Sequence, residues 1–141
     1  MGESRTALVT GSAGFIGYFI GKRLLADGFR VVGIDSLSDY YDPNLKRRRQ
    51  AELLQNAGFS ATNEPIETPG LLADLFAEHR PDVVVHLAAQ AGVRYSIDNP
   101  RSYLESNLVG TFELLEAARA HPPQHMHRPM APIPRCPIAR R

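Results

Sequence analysis

"TALVTGSAGFIG", Thr6 to Gly17, decides how this chain folds. Thr6 to Thr10 is a short β-branched apolar run that ends in a glycine cluster, the mark of a buried strand entering a turn. Phe15, Ile16, Phe19, Ile20 and Leu24 then recur at helical spacing, and Asp27-Gly28 supplies a residue suited to a left-handed cap. At the turn, Gly11 can adopt positive φ, Gly14 lets a phosphate approach the backbone, and Gly17 lets the helix pack closely on a sheet. The free N–H groups of such a helix end suit a pyrophosphate, with the helix dipole adding about 0.3–1 kcal/mol for a nearby anion.

Outward from this turn the chain alternates. "RVVGID", Arg30 to Asp35, is a second strand, and Asp35 ends it about 20 residues after the glycines, where a carboxylate can accept hydrogen bonds from both hydroxyls of an adenine ribose. That carboxylate repels a 2′-phosphate, and Ser36 and Leu37 bring no cation to reverse this, so NAD is favoured over NADP. Capping a turn is the alternative role for Asp35. Residues 43–56 read as a helix whose run Lys46, Arg47, Arg48, Arg49 forms a solvated face, with a nucleic-acid or partner patch as the alternative. Pro65 and Pro69 allow only a brief third strand within residues 59–69. Leu71, Leu72, Leu75 and Phe76 make a short helix, and "DVVVHLA", Asp82 to Ala88, is the strongest strand, its three valines implying burial on both faces. A last helix over residues 100–120 carries Leu104, Leu108, Phe112 and Leu115 on one stripe. This pattern predicts an α/β fold, a Rossmann-type doubly wound parallel sheet ordered 3-2-1-4, with ligands beyond the carboxyl ends of the strands.

The chain's 141 residues suffice for one domain, and its 43% hydrophobic and 22% charged content is that of a soluble globular protein. No apolar run approaches the roughly 18 residues that cross a membrane. Of the 16 basic and 15 acidic residues, four arginines and no acid fall in residues 121–141, leaving the body at −3. Such a body has no basic excess that suggests nucleic acid, and no nucleic-acid partner is expected. Cys136 is the sole cysteine, so no intrachain disulfide can form, and a reducing, cytoplasmic setting is expected.

"VTGSAGFIG", "GIDSLSDYYD" and "HLAAQAGVRYSIDNPRSYLESNLVGTFELLEAAR" together resemble the extended short-chain dehydrogenase/reductases, and among these the UDP-glucuronate 4-epimerases. The resemblance covers about residues 6–121 and is most specific at "AAQAGVRYS". It implies that Gly11, Gly14, Phe15, Ile16 and Gly17 line the NAD pyrophosphate and Asp35 the adenosine ribose. Leu87, Ala88 and Ala89 pass beneath the cofactor, and Arg94 lies on the side of a nucleotide-sugar substrate, where a guanidinium suits a phosphate or a uronate carboxylate. It also implies transient oxidation at the sugar C4, with a Tyr-x-x-x-Lys pair moving the proton. Another nucleotide-sugar dehydratase or decarboxylase, or a non-catalytic NAD-binding module, are the alternatives. The family's acidic residue after strand three, which reaches the adenine, has Pro65 near its position here and Glu64 as its substitute. A homodimer belongs to the full-length family member; its dimer helices lie partly beyond the resemblance.

Several tempting groups have plainer readings. His86, late in a buried strand, reads as hydrogen-bonded core. Asn107 is similar to the family's helix asparagine near the active site and reads equally well as a buried structural amide. His121, His125 and His127 lack the partners and spacing of a metal site. Tyr18 and Lys22 fit Tyr-x-x-x-K but sit on the first helix, away from where a nicotinamide belongs, so no catalytic residue is assigned within this chain.

"HPPQHM", His121 to Met126, still resembles the lead-in to the family's fifth strand, but six prolines among the last 21 residues cannot supply a central strand's donors. We therefore expect a partial NAD-binding domain over residues 1–121, a Pro/Arg-rich irregular tail over residues 122–141, and an unpaired edge on strand four. The tail reads as out-of-frame translation of a GC-rich gene; the competing reading is a genuine Pro/Arg segment for a partner or acidic surface. The nucleotides after the Met126 codon, read in the other two frames, decide between them.

Overall fold

The computed structural model describes residues 4–128. Five parallel strands form one sheet: β1 (Thr6–Thr10), β2 (Arg30–Ile34), β3 (Phe59–Thr62), β4 (Val83–His86) and β5 (His125–His127), in the order β3-β2-β1-β4-β5. Between them run α1 (Phe15–Ala26), α2 (Pro43–Leu54), α3 (Leu71–His79), the short α4 (Val93–Asp98) and α5 (Pro100–Tyr103), and α6 (Gly110–Ala120). A π-helical segment, Leu104–Val109, joins α5 to α6.

The sheet is buried on both faces because adjacent strand residues point in opposite directions. Leu8, Ile34 and Val84 meet Leu72, Leu75 and Phe76 of α3 and Leu114 of α6 on one side. Val9, Val31 and Val85 meet Tyr18 of α1 and Leu53 of α2 on the other. Local chemistry sets the helix ends. Asp42 accepts from the Asn44 amide to start α2, with Pro43 in its first turn, and Gly28, at φ +86°, follows α1 as its capping glycine.

The sheet exceeds the four expected strands. Prolines 122 and 123 precede β5 rather than interrupt it, so His125, Met126 and His127 keep their donors and align with Val83, Val84 and Val85. The expected unpaired edge of strand four is thus covered, and the open edge passes to three exposed residues of β5. Asp82 anchors this corner: its carbonyl accepts from the amides of Gln124 (2.8 Å) and His125 (3.1 Å), and its carboxylate accepts from the Thr6 amide at 2.8 Å. The tail from residue 129 onward lies outside the described residues.

The stripe on the last helix also differs from expectation. Gly110, Leu114, Ala117 and Ala118 face the core, whereas Leu104, Leu108, Phe112 and Leu115 are exposed. Phe15, Ile16 and Phe19 of α1 likewise face outward, while Gly17, Tyr18 and Gly21 pack inward. Gly17 and Gly21 around Tyr18, and Gly110, Ala117 and Ala118 around Leu114, let the two helices approach the core closely on these faces. Among the described residues no helix is long and apolar enough to cross a membrane.

Candidate functional site

The carboxyl ends of β1, β2 and β4 open onto one cleft of about 810 Å³, within the range of roughly 300–1,000 Å³ usual for small-molecule sites. Gly11, Gly14, Phe15, Ile16, Gly17, Asp35, Leu87, Ala88 and Ala89 all lie along its wall. Arg94 does not; it is exposed on α4, outside the lining, whereas the neighbouring Tyr95 and the preceding Gln90 are part of it.

The glycine turn is shaped by contacts that permit no side chain. Gly11 has φ +73°, and a Cβ there would stand 2.9 Å from the Ala88 nitrogen; at Gly17 it would stand 2.0 Å from the Gly11 carbonyl oxygen. Gly14 caps α1 with an extended backbone and no side-chain hydrogen bond. The amides of Phe15, Ile16 and Gly17 have no carbonyl behind them in the helix, so a first turn of bare donors faces the cleft.

Asp35 is buried and held from two sides, its Oδ2 accepting from the Ala13 amide at 3.0 Å and its Oδ1 from the Leu37 amide at 2.8 Å. Turn capping, the alternative role for this residue, is therefore present in the structure. Lys46 Nζ lies 3.7 Å from Asp35 Oδ1, with the lysine side chain only 12% exposed. Arg49 lines the same wall, its guanidinium donating to the Ala13 carbonyl at 3.4 Å and lying 5.7 Å over the Phe15 ring. The basic run is thus divided: Lys46 and Arg49, three apart, turn inward, and Arg47 and Arg48 remain exposed. Their i, i+3 spacing was the signal available in the sequence.

At the other end Gln90 is clamped, its amide donating to Asn107 Oδ1 at 2.8 Å and its carbonyl accepting from Asn107 Nδ2 at 3.0 Å. Also in the wall of the cleft, His86 is buried between threonines. Thr10 Oγ1 accepts from the Leu87 and Ala88 amides, each at 3.0 Å, so its hydroxyl hydrogen is left to donate to His86 Nδ1 at 2.7 Å. That assigns the proton of neutral His86 to Nε2, which faces Thr111 Oγ1 at 3.3 Å. Burial, reinforced by the Arg128 charge, lowers the His86 pKa to about 4. Tyr40 stacks obliquely on Tyr95 at 4.6 Å and both line the cleft, an aromatic wall the sequence did not single out.

Glu64 is exposed and outside the cleft, whereas Pro65, Ile66 and Glu67 line it. Tyr18 and Lys22 lie elsewhere: Lys22 Nζ donates to the Tyr18 hydroxyl at 3.2 Å and to Glu52 Oε1 at 2.8 Å, tying α1 to α2. Among the described residues no group of three or more His, Cys, Asp or Glu side chains could hold a metal ion.

Residues 8–129 match the family described as GDP-mannose 4,6 dehydratase. The chain belongs to that family. Within the GDP-mannose 4,6 dehydratase family and its kin it is 47% identical over 119 residues to a probable UDP-glucuronate 4-epimerase of Rhizobium meliloti, covering 84% of this chain and 35% of that protein. It is 46% identical to UDP-glucuronate 4-epimerase 3 of Arabidopsis thaliana, with the same coverage here and 27% there. The chain spans about a third or less of the length of such relatives. Its fold superposes on UDP-glucuronic acid 4-epimerase of Bacillus cereus, solved with UDP-glucuronic acid and NAD, with a TM-score of 0.80, 34% identity, and coverage of 87% of this chain and 39% of that one. It also superposes on UDP-glucose 4-epimerase of Thermotoga maritima, solved with UDP-glucose, at a TM-score of 0.71, 34% identity, and coverage of 87% and 37%. Family membership of the nucleotide-sugar epimerase type, read from "AAQAGVRYS" and its neighbours, is borne out.

Proposed function

We propose that residues 4–128 form the NAD-binding front of a nucleotide-sugar 4-epimerase of the UDP-glucuronate type. One observation carries this reading: a glycine turn in which a Cβ at Gly17 would sit 2.0 Å from the Gly11 oxygen, opening a row of unpartnered helix amides onto the cleft. Those amides and the Gly14 backbone hold a pyrophosphate, and Asp35, while capping its turn, keeps lone pairs for the adenosine ribose hydroxyls. Gly11 packs against Leu87 and Ala88, so these residues and Ala89 support the cofactor from below. When bound, NAD supplies the hydride acceptor and donor for the sugar C4. The nucleotide-sugar relatives support the substrate class, with Tyr95 and Gln90 nearer to it than Arg94.

Proton transfer at C4 needs a Tyr-x-x-x-Lys pair beside the nicotinamide. Among the described residues the pattern occurs at Tyr18 and Lys22, where Lys22 Nζ donates to the Tyr18 hydroxyl and to Glu52 Oε1, outside the cleft. Titration of the 141-residue chain with NAD is expected to raise its melting temperature at submillimolar ligand, and Gly17→Ala to abolish the shift. A folded chain indifferent to millimolar NAD would overturn the reading.

A further inference from the structure

The wall of the cleft changes character from one end to the other. Where β2 and the turn after it form the wall, Asp35, Asp39 and Asp42 stand with Lys46 and Arg49, so charges of both signs are present. From β4 onward, among the described residues, the wall carries a single formal charge, that of Arg128. Its titratable neighbour His86 is neutral near pH 7, held so by burial and by the Arg128 charge itself. Within residues 4–128 Arg128 takes part in no ion pair. It is the first residue beyond β5, whose His127 aligns with Val85 of β4. The sheet order sets β2 and β5 on opposite sides of the β1–β4 pair, three strand spacings or roughly 14 Å apart. A dinucleotide with its pyrophosphate on the first turn of α1 and its adenosine ribose at Asp35 therefore extends its other ring over β4 towards β5.

We propose that Arg128 is a specificity-determining residue that makes the cleft hold the reduced dinucleotide, NADH, in preference to the oxidised one. The inference rests on the NAD-binding reading of the cleft. The two forms share the adenosine, both riboses and the pyrophosphate. They differ in the nicotinamide, a pyridinium cation when oxidised and a neutral dihydropyridine when reduced. A guanidinium keeps its proton in a protein, so the Arg128 charge is fixed. No carboxylate in the same half of the wall offsets it, and it therefore works against the pyridinium and leaves the dihydropyridine untouched. Attraction to the pyrophosphate is common to both forms and cancels from the comparison, so the ratio of the two affinities isolates one charge acting on one ring. Arg128 is itself exposed, and screening by water and salt limits the effect to several-fold. A cofactor biased in this way is a stronger hydride acceptor when bound than when free, by about 30 mV for each tenfold in the ratio.

The test is calorimetric titration of the 141-residue chain with NAD and with NADH, for wild type, Arg128→Gln and Arg128→Lys. Wild type is expected to bind NADH more tightly than NAD, and Arg128→Gln to shift the ratio of the two Kd values towards NAD by about fivefold or more. Arg128→Lys keeps the charge and should stay within about twofold of the wild-type ratio. Raising sodium chloride from about 0.05 to 0.5 M should draw the wild-type ratio towards that of Arg128→Gln. This salt series needs no substitution, so it decides the matter should Arg128→Gln fail to melt cooperatively. A ratio unchanged within twofold in folded Arg128→Gln, a wild-type ratio indifferent to salt, a wild-type preference for NAD, or loss of the preference in Arg128→Lys overturns this proposal while leaving dinucleotide binding intact. Failure of wild type to bind either form overturns the functional reading and this proposal together.

Discussion

At the scale of single residues, His86 shows how one side chain can be fixed by the hydrogen-bond needs of its neighbours. Two amides use the acceptor capacity of Thr10 Oγ1, which directs its proton to His86 Nδ1 and leaves Nε2 to face Thr111. The imidazole must stay neutral to keep that arrangement, and burial holds its pKa at about 4. Since the unfolded chain takes up this proton near pH 6.5, the full stabilisation is present above pH 6.5 and is lost as pH falls towards 4. With the folded pKa at about 4 and the unfolded one near 6.5, the expected loss is about 3 kcal/mol by pH 4. Melting temperatures recorded from pH 7 to 5 should fall in wild type and flatten in His86→Asn; an equally steep variant would exclude His86 as the source. The sequence conveyed the core reading of this histidine, because its place late in a buried strand is a local property. Lys46 was hidden because its contact with Asp35 depends on how α2 docks, which no local pattern specifies.

Elements were legible where an apolar run or stripe meets clear punctuation. The glycine turn, α1, β2 and β4 follow directly from apolar spacing and punctuation. The last helix was legible in extent, residues 100–120, but not in the face it buries, because its interior is π-helical from Leu104 to Val109, and such a segment lets a helix carry an extra residue without showing it in composition. Asn107 lies in that segment and uses its amide to clamp both backbone groups of Gln90. Asn107→Ala leaves that donor and acceptor without their partner, at a cost of about 1–3 kcal/mol if they stay dry. Thermal unfolding should register the loss, and Gln90 should become the most protease-sensitive point after β4; an unaffected melting temperature would mean that water replaces the amide. β5 was missed because three residues bracketed by prolines carry no periodic signal, although those prolines fall outside the paired residues and leave their donors free.

For the molecule as a whole, the sheet divides two apolar layers, and the cleft is where strands from both halves of the winding end side by side. The outward-facing Leu104, Leu108, Phe112 and Leu115 were visible in the sequence as a stripe, but which way it faced depended on Leu114 and Ala117 winning the inner side through their fit to α3. The direct contact of Gly11 with Leu87 and Ala88 has a dynamic consequence. Both lips of the cleft share one seam: the Gly11 amide bonds to Ile34, and those of Leu87 and Ala88 bond to Thr10. Neither lip can peel away without tearing the other, so these three amide protons should trade for solvent deuterium in step, through a single opening event. Deuterium uptake at Leu87 and Ala88 running a hundredfold ahead of Gly11 would show instead two latches that release separately.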